Sequence, residues 1–376
     1  MEELSTIIET SDDLRSLIQK ARTTDSVALD TEFVWERSYY PKLGLIQIAL
    51  SDEECYLIDP LAVSDLDILG KLLSDRGVVK IFHDAPQDLA ILKEATGVAA
   101  QNVFDTRLAA GFSNMPSTLS LGNLIKELLD IDLIKDETRT NWLHRPLSDN
   151  QINYALNDVR YLRAVRVLLL TRIIGPKIKS WLQEELNLLN NPATYEGPPD
   201  YDRYLRIRGS SNLDSESLNI LRNLTSWREG LARKLNRPRN HVIRDSHLLA
   251  IAKQKPSTLA ILKDTAALSR KAFNNHGQAL ISLVETSLQQ PYSAYPAVHR
   301  PTRLNAGDRK RLDKLQGFIA LKCEVLGIAP NLLGNAAELK QLVKALGDKK
   351  QSPPLHLRQT DGWRKSFLED FLRQTR

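Results

Sequence analysis

Hydrophobic positions in the first half of the chain fall into short runs that change period. VALDTEFV (27–34), LGLIQIAL (43–50) and CYLID (55–59) have the length and residue types of strands, with close turns between them. A further strand, VVKIFH, closes at His83. Helical spacing follows in PQDLAILKEA, DTRLAAGF and LGNLIKELL, and then in one long stretch from Asp149 to about Arg172. Three adjacent strands followed by strand–helix alternation predict an α/β domain with a mixed sheet over residues 1–190.

Two segments break both periods. NNPATYEGPPDYDRY (190–204) and QPYSAYPAVHRPTRLNAG (290–307) are rich in Pro, Gly, Asn and Tyr and read as linkers. Helical spacing occupies 211–289 and 308–376, predicting two small all-α domains, placed at 211–290 and 307–376. The two segments also resemble each other. At a gapless offset of 91 positions, Leu221, Leu224 and Trp227 fall on Leu312, Leu315 and Phe318. Leu235, Asn240 and Leu248 fall on Leu326, Asn331 and Leu339. The pattern reads as duplication of one helical module.

Charge separates the same halves. The chain of 376 residues carries a net +5. Residues 1–190 contribute −9 and residues 191–376 contribute +14. A basic module that holds a polyanion, joined to an acidic one that holds cations, fits this division. The composition is that of a globular protein, with 42% hydrophobic and 26% charged residues. No apolar run reaches the roughly 18 residues of a membrane helix. MEELSTIIETSDDL at the start lacks the basic-then-apolar order of a signal peptide. Cys55 and Cys323 form no metal or redox motif, which favours a reducing, cytoplasmic compartment.

Candidate chemistry lies in the acidic half. Asp30 and Glu32 are two apart in a strand, so both project from one face. Like charges at that range repel unless a cation sits over them, and hard oxygen ligands suit Mg²⁺ or Mn²⁺. A solvent-facing strand is the plain alternative. Ser148 and Gln151 fit a capping box, which fixes the start of the helix at Asp149 and sets Tyr154 and Asp158 one turn apart. In HDAPQD (83–88), after a strand, Asp84 reads as a helix N-cap, with Asp88 ending the first turn. His83 reads as packed or hydrogen-bonded, and Asp105 as another N-cap.

Taken together, D-x-E at Asp30/Glu32, Asp88 after a strand, and Tyr154/Asp158 on a helix resemble the DEDD superfamily of 3′→5′ exonucleases, in the subgroup with a Tyr in its third motif. WREGLARKLNRPRNHVIRDSHLLAIAKQKP (227–256) resembles the HRDC-type helical nucleic-acid-binding domain. An exonuclease domain followed by two such modules is similar to the bacterial ribonuclease D family over nearly the whole chain, and WLHRPL (142–147) resembles that family's segment before the third motif. Gln87 stands where a Glu is usual, leaving Asp88 intact. The resemblance implies a ribonuclease H-like fold and two divalent metal ions, Mg²⁺ or Mn²⁺. It implies release of nucleoside 5′-monophosphates from RNA 3′ ends, in tRNA maturation, with no obligatory protein partner. It makes Asp30 the bridge between both metals and assigns Glu32 and Asp158 to the metal that holds the attacking water. Asp88 then supports the second metal, and Tyr154, with an ordinary phenol near pKa 10, orients the water. Arg233, Lys234, Arg237 and Arg239 are the expected grip on the phosphate backbone. A 3′–5′ DNA exonuclease and a non-catalytic RNA-binding protein are the alternatives.

Overall fold

The computed structural model describes residues 6–35, 37–133, 140–197, 199–298, 304–347 and 357–374. Part of the second linker, 299–303, and residues 348–356 of the last helical segment lie outside them. Packing divides the chain in two, where the sequence suggests three domains. One unit comprises Met1–Val34, Leu43–Glu196 and Thr302–Arg376; the other comprises Trp35–Lys42 and Gly197–Pro301.

The first unit opens β1 (Ile7–Ile8), α1 (Ser11–Ala21), β2 (Ser26–Val34), β3 (Lys42–Ala49), β4 (Cys55–Ile58), α2 (Asp67–Leu73), β5 (Val79–Phe82), α3 (Pro86–Thr96) and β6 (Val103–Asp105). It continues with α4 (Thr106–Gly111), α5 (Leu121–Leu129), α6 (Asp149–Arg160), α7 (Leu162–Arg172) and α8 (Pro176–Leu188). The six strands form one mixed sheet in the order β1-β4-β3-β2-β5-β6. β3 and β4 run antiparallel, whereas β2, β5 and β6 run parallel to their neighbours among themselves. Both faces are covered. Val27 and Leu29 pack into a core with Leu14, Leu17 and Leu72, while Ala28 packs into a second core with Ala155, Val159 and Val165. Strand alternation therefore directs Ala28 and its same-face successors, Asp30 and Glu32, toward the α6 side.

Two local expectations change. The long helix expected from Asp149 is two helices, broken at Tyr161 (φ −97°, ψ −5°). The apolar positions keep a helical period across the break, so spacing alone could not find it. Asp84 is not the N-cap of α3: it adopts a left-handed φ of 66°, Ala85 holds the cap position, and Pro86 opens the helix. Pro suits the first helical position because its missing N–H is unneeded there.

The second unit contains α9 (Ser215–Lys234), α10 (Arg239–Val242), α11 (Asp245–Gln254), α12 (Leu259–Ala266) and α13 (Arg270–Gln289), around its own core of Leu221, Leu224, Leu248, Ile251 and Leu280. The chain then returns to the first unit with α14 (Ala306–Leu326), α15 (Ala336–Gly347) and α16 (Gly362–Gln374). Element boundaries repeat at the offset of 91. Moved by that distance, α9 would span 306–325, where α14 lies. α10 would fall at 330–333, which is a short 3-10 turn, Pro330–Leu333, and α11 at 336–345, within α15. The ring pair Trp227–His276 (centroids 5.6 Å, 75°) recurs as Phe318–Phe367 (6.2 Å, 84°).

The later helices are built into the α/β core. Trp363 stacks on Trp181 at 5.2 Å, meets Phe112 edge-on at 5.4 Å and donates from Nε1 to Glu185 at 2.6 Å. Phe367 is fully buried and lies 6.0 Å from Trp181. Phe367→Ala should destabilise this unit by about 3–5 kcal/mol. The shift of its urea unfolding midpoint measures this, and a loss under about 1 kcal/mol would mean that α16 adds little to the core.

Candidate active site

Three of the expected carboxylates converge. Ligand oxygens of Asp30, Glu32 and Asp158 all lie within 4.8 Å of one another. The first two come from adjacent same-face positions of β2, the third from α6. The helix is set in place by its start: Ser148 Oγ accepts from the Gln151 N–H at 3.2 Å, and the Gln151 side chain accepts from the Ser148 N–H at 3.0 Å. This capping box fixes the phase of α6, so Tyr154 and Asp158, one turn apart, share a face. The Tyr154 hydroxyl and the Asp158 carboxylate interact, each shifting the other's titration.

Asp88 stands beside this trio. It is buried, at the third position of α3, and Oδ1 accepts from the Thr31 hydroxyl at 2.5 Å. Thr31 is on the opposite face of β2 from Asp30, so the strand contributes to the acidic site from both faces.

The electrostatics are those of crowded, half-desolvated anions. Burial, then the charges of Asp88, Asp158 and Glu32, raise the Asp30 carboxyl well above the usual range. Burial, reinforced by Asp158 and Asp88, pushes Glu32 up to about 8. Burial lifts Asp88 and Asp158 each to about 7. The phenol of Tyr154 is not ordinary, as the sequence suggests, but raised, by burial and then by the charges of Asp158, Glu32 and Asp30. It therefore keeps its proton, which strengthens the expectation that it orients water rather than abstracts a proton. Hard carboxylate oxygens clustered this closely fit a divalent cation, which would remove the repulsion.

Several supporting residues stand outside the acidic motifs. Arg145 pairs with the buried Asp59 through Nη2–Oδ1 (2.7 Å) and Nε–Oδ2 (2.5 Å), and donates to the carbonyls of Gly44 (2.7 Å) and Trp142 (2.9 Å). This ties the segment before α6 across β3 and β4. Gly44 is required there, because a Cβ would sit 2.7 Å from the Trp142 carbonyl oxygen. The Trp142 ring in turn lies 6.1 Å from that of Tyr154. Asp105 caps α4 as the sequence suggests, accepting from the Arg107 and Leu108 N–H groups. It also accepts from the N–H groups of Asp84 and Ala85, aligning the start of α3 and hence Asp88. His83 is held on both ring nitrogens, by Thr106 Oγ1 at 3.0 Å and the Leu119 carbonyl at 3.1 Å. Asp59 and Arg145 lie 86 residues apart, a pairing that no local signal announces.

The four basic residues expected to grip nucleic acid divide in two. Arg233 forms an ion pair with Asp200, and Arg239 Nε lies 2.9 Å from the buried Glu229, off the line of a hydrogen bond. Both guanidinium groups flank the Tyr39 ring, at 5.7 and 5.6 Å, and the Tyr39 hydroxyl donates to Glu229 at 3.0 Å. These two arginines serve the module's own packing. Lys234 and Arg237 are exposed.

The raised carboxyls give stability a definite sign in pH. Their pKa values lie above the unfolded values of about 4, so the stability they contribute is complete below that pH and is lost as pH rises through 7 to 8. In EDTA, the melting temperature should fall between pH 5 and pH 8, and Glu32→Gln should lessen that fall. Adding Mn²⁺ at pH 8 should raise the melting temperature more for the unmodified protein than for Asp30→Asn. Differential scanning fluorimetry reads all three, and equal metal responses would remove Asp30 from the cation site.

Comparison with known proteins agrees with this geometry. Residues 5–174 match the 3′-5′ exonuclease family and residues 217–284 the HRDC domain family. The chain is 53% identical over 365 residues to ribonuclease D of Desulfotalea psychrophila, covering 97% of this chain and 96% of that one. It is 31% identical to ribonuclease D of Escherichia coli over 97% of this chain and 96% of that one. The crystal structure of Escherichia coli RNase D, described as an exoribonuclease involved in structured RNA processing, superposes with a TM-score of 0.86 at 30% identity, covering 98% and 97% of the two chains. With that identity held over nearly its full length, and with matches to both the exonuclease and the HRDC families, the chain belongs to the ribonuclease D family of 3′–5′ exoribonucleases.

Proposed function

We propose that Asp30, Glu32, Asp88 and Asp158 hold two divalent cations, Mg²⁺ or Mn²⁺, at which the terminal phosphodiester of an RNA is hydrolysed. The observation that carries this reading is the convergence of Asp30, Glu32 and Asp158 within 4.8 Å, with Tyr154 one helical turn from Asp158. Such a cation pair, when bound, stabilises the attacking and leaving oxygens of an in-line displacement and lowers the pKa of the attacking water. The residues do the rest. Asp30, Glu32, Asp88 and Asp158 would hold the cations, with Asp30 shared between them, Glu32 and Asp158 at the one that would carry the attacking water, and Asp88 supporting the other. Tyr154 keeps its phenolic proton and positions the water by hydrogen bond. Arg145, Asp59 and Gly44 keep the approach to α6 fixed, so that Tyr154 does not wander.

The natural substrate we propose is the 3′ end of a tRNA precursor, and the compartment is the cytoplasm, in keeping with two free, buried thiols. Residues 211–290 are the HRDC-type module that retains the RNA, with Lys234 and Arg237 as its outward charges. Residues 307–376 are a diverged second copy; the recurring boundaries and ring pair support that reading.

Asp30→Asn and Asp158→Asn should each slow 3′ shortening of single-stranded RNA by roughly 10³-fold, and Tyr154→Phe by roughly 10²-fold with metal binding retained. A gel ladder of a 3′-extended tRNA precursor, run with each metal and with a matched DNA strand, measures this. Undiminished shortening in either Asn variant would sink the assignment.

A further inference from the structure

The basic half holds a groove that the acidic chemistry does not use. It lies in the second unit, between α9–α11 and the start of α13, and encloses about 860 Å³. Arg237, Arg244 and Lys271 line it, with His241, His247 and His276, and no carboxylate does. Three arginines elsewhere in this unit are neutralised: Arg228 pairs with Asp245, Arg233 with Asp200, and Arg239 with Glu229. Arg237, Arg244 and Lys271 have no ion pair among the described residues. All three are exposed, so their charge is available to a ligand. The floor between them is apolar, from Leu231, Leu235, Val242 and Ile243.

That combination has a chemical reading. Unpaired cations around an apolar floor suit a phosphate backbone whose base leaves water. The volume lies within the range of pockets that enclose small ligands, and a groove of this kind takes a splayed nucleotide rather than the flank of a duplex. Burial lowers the pKa of both His247, beside Arg244, and His276. Near neutral pH these imidazoles offer ring faces and hydrogen bonds instead of charge. His276 is held edge-on against Trp227, which packs on the module's core.

The other helical module gives independent support. At the offset of 91, Arg237, His241 and His276 correspond to Ile328, Leu332 and Phe367. All three are buried in the core of the first unit. The Ala329 N–H donates to the Gly111 carbonyl at 2.7 Å, and the Leu332 methyls lie 3.1–3.2 Å from where a Cβ on Gly111 would sit. The same face of the same helical scaffold is thus a docking surface in one copy, filled by α4. In the other copy the corresponding positions, Arg237, His241 and His276, line the groove instead, and Arg237 is exposed.

We propose that the groove lined by Arg237, Arg244 and Lys271 is a subsite for an unpaired nucleotide of the RNA, separate from the terminal nucleotide at the carboxylates. This rests on RNA as the substrate, and it replaces the Arg233/Arg239 part of the expected grip with Arg244 and Lys271.

The test uses the full chain in EDTA, with a 5′-labelled single-stranded RNA and fluorescence anisotropy over a range of NaCl. Arg237→Gln/Arg244→Gln/Lys271→Gln should weaken binding by about tenfold at 0.1 M salt and reduce the slope of log K against log salt by about 2, as three lost contacts require. The charge-reversed triple, with Glu at each position, should weaken it further. If that variant loses its helical circular dichroism, the Gln triple decides. An unchanged affinity and slope in the Gln triple would overturn the proposal, and an equal loss on blunt duplex RNA would overturn the unpaired nucleotide. Hydrolysis of a dinucleotide by the unmodified protein with Mn²⁺ reads the carboxylate site separately. Its absence would count against the carboxylate mechanism, whereas a changed affinity and slope in EDTA reads the groove alone.

Discussion

Four carboxylates crowded at the C-terminal end of an interior strand repel one another, and that repulsion is the constraint on which the rest of the catalytic unit depends. Asp30 and Glu32 are fixed two residues apart by the strand, and Asp158 is brought against them by a helix. Burial makes each charge harder to keep, which is why their carboxyls sit well above the ordinary range. An arrangement so unfavourable in isolation persists only when the surrounding structure over-determines it. Here the surroundings are two hydrophobic cores, one on each face of the sheet, which bury β2 from Ser26 to Leu29 and let it emerge only where the acids begin.

The devices that hold the acids are polar and local at one end, long-range at the other. The capping box at Ser148 sets the rotation of α6 within four residues. Arg145 reaches 86 residues back to Asp59 and at the same time collects the carbonyls of Gly44 and Trp142. Asp105 serves two helices at once, capping α4 and receiving the backbone that leads into α3. Each of these satisfies a buried acceptor or donor that would otherwise cost about 1–3 kcal/mol, so the site's geometry and the stability of the fold are secured by the same bonds.

What the sequence reveals follows the range of the interaction. D-x-E in a strand, Y-x-x-x-D on a helix and S-x-x-Q before it are local rules, and the structure gathers Asp30, Glu32 and Asp158 as those rules imply. Both linkers and the offset of 91 are legible because composition and spacing are also local. The break at Tyr161 is hidden, since an interrupted helix keeps its apolar period. The left-handed Asp84 is hidden because Asp105, 21 residues on, stabilises that turn. Arg233 and Arg239 look like free surface charge until Asp200, Glu229 and Tyr39 are seen around them. In each case the deciding partner is distant in sequence.

The two helical modules also differ in how much change they can absorb. A charge introduced at Ile328, Leu332 or Phe367 would be stranded in a dry core, at a cost of several kcal/mol. The corresponding positions Arg237, His241 and His276 line a groove beside a separate core cluster, one that shares no residue with those of the catalytic unit. Variation in the first module can therefore alter surface charge freely while the sheet and its acids stay as they are. A change of side-chain charge is therefore an expensive event at Ile328, Leu332 and Phe367 and a cheap one at Arg237.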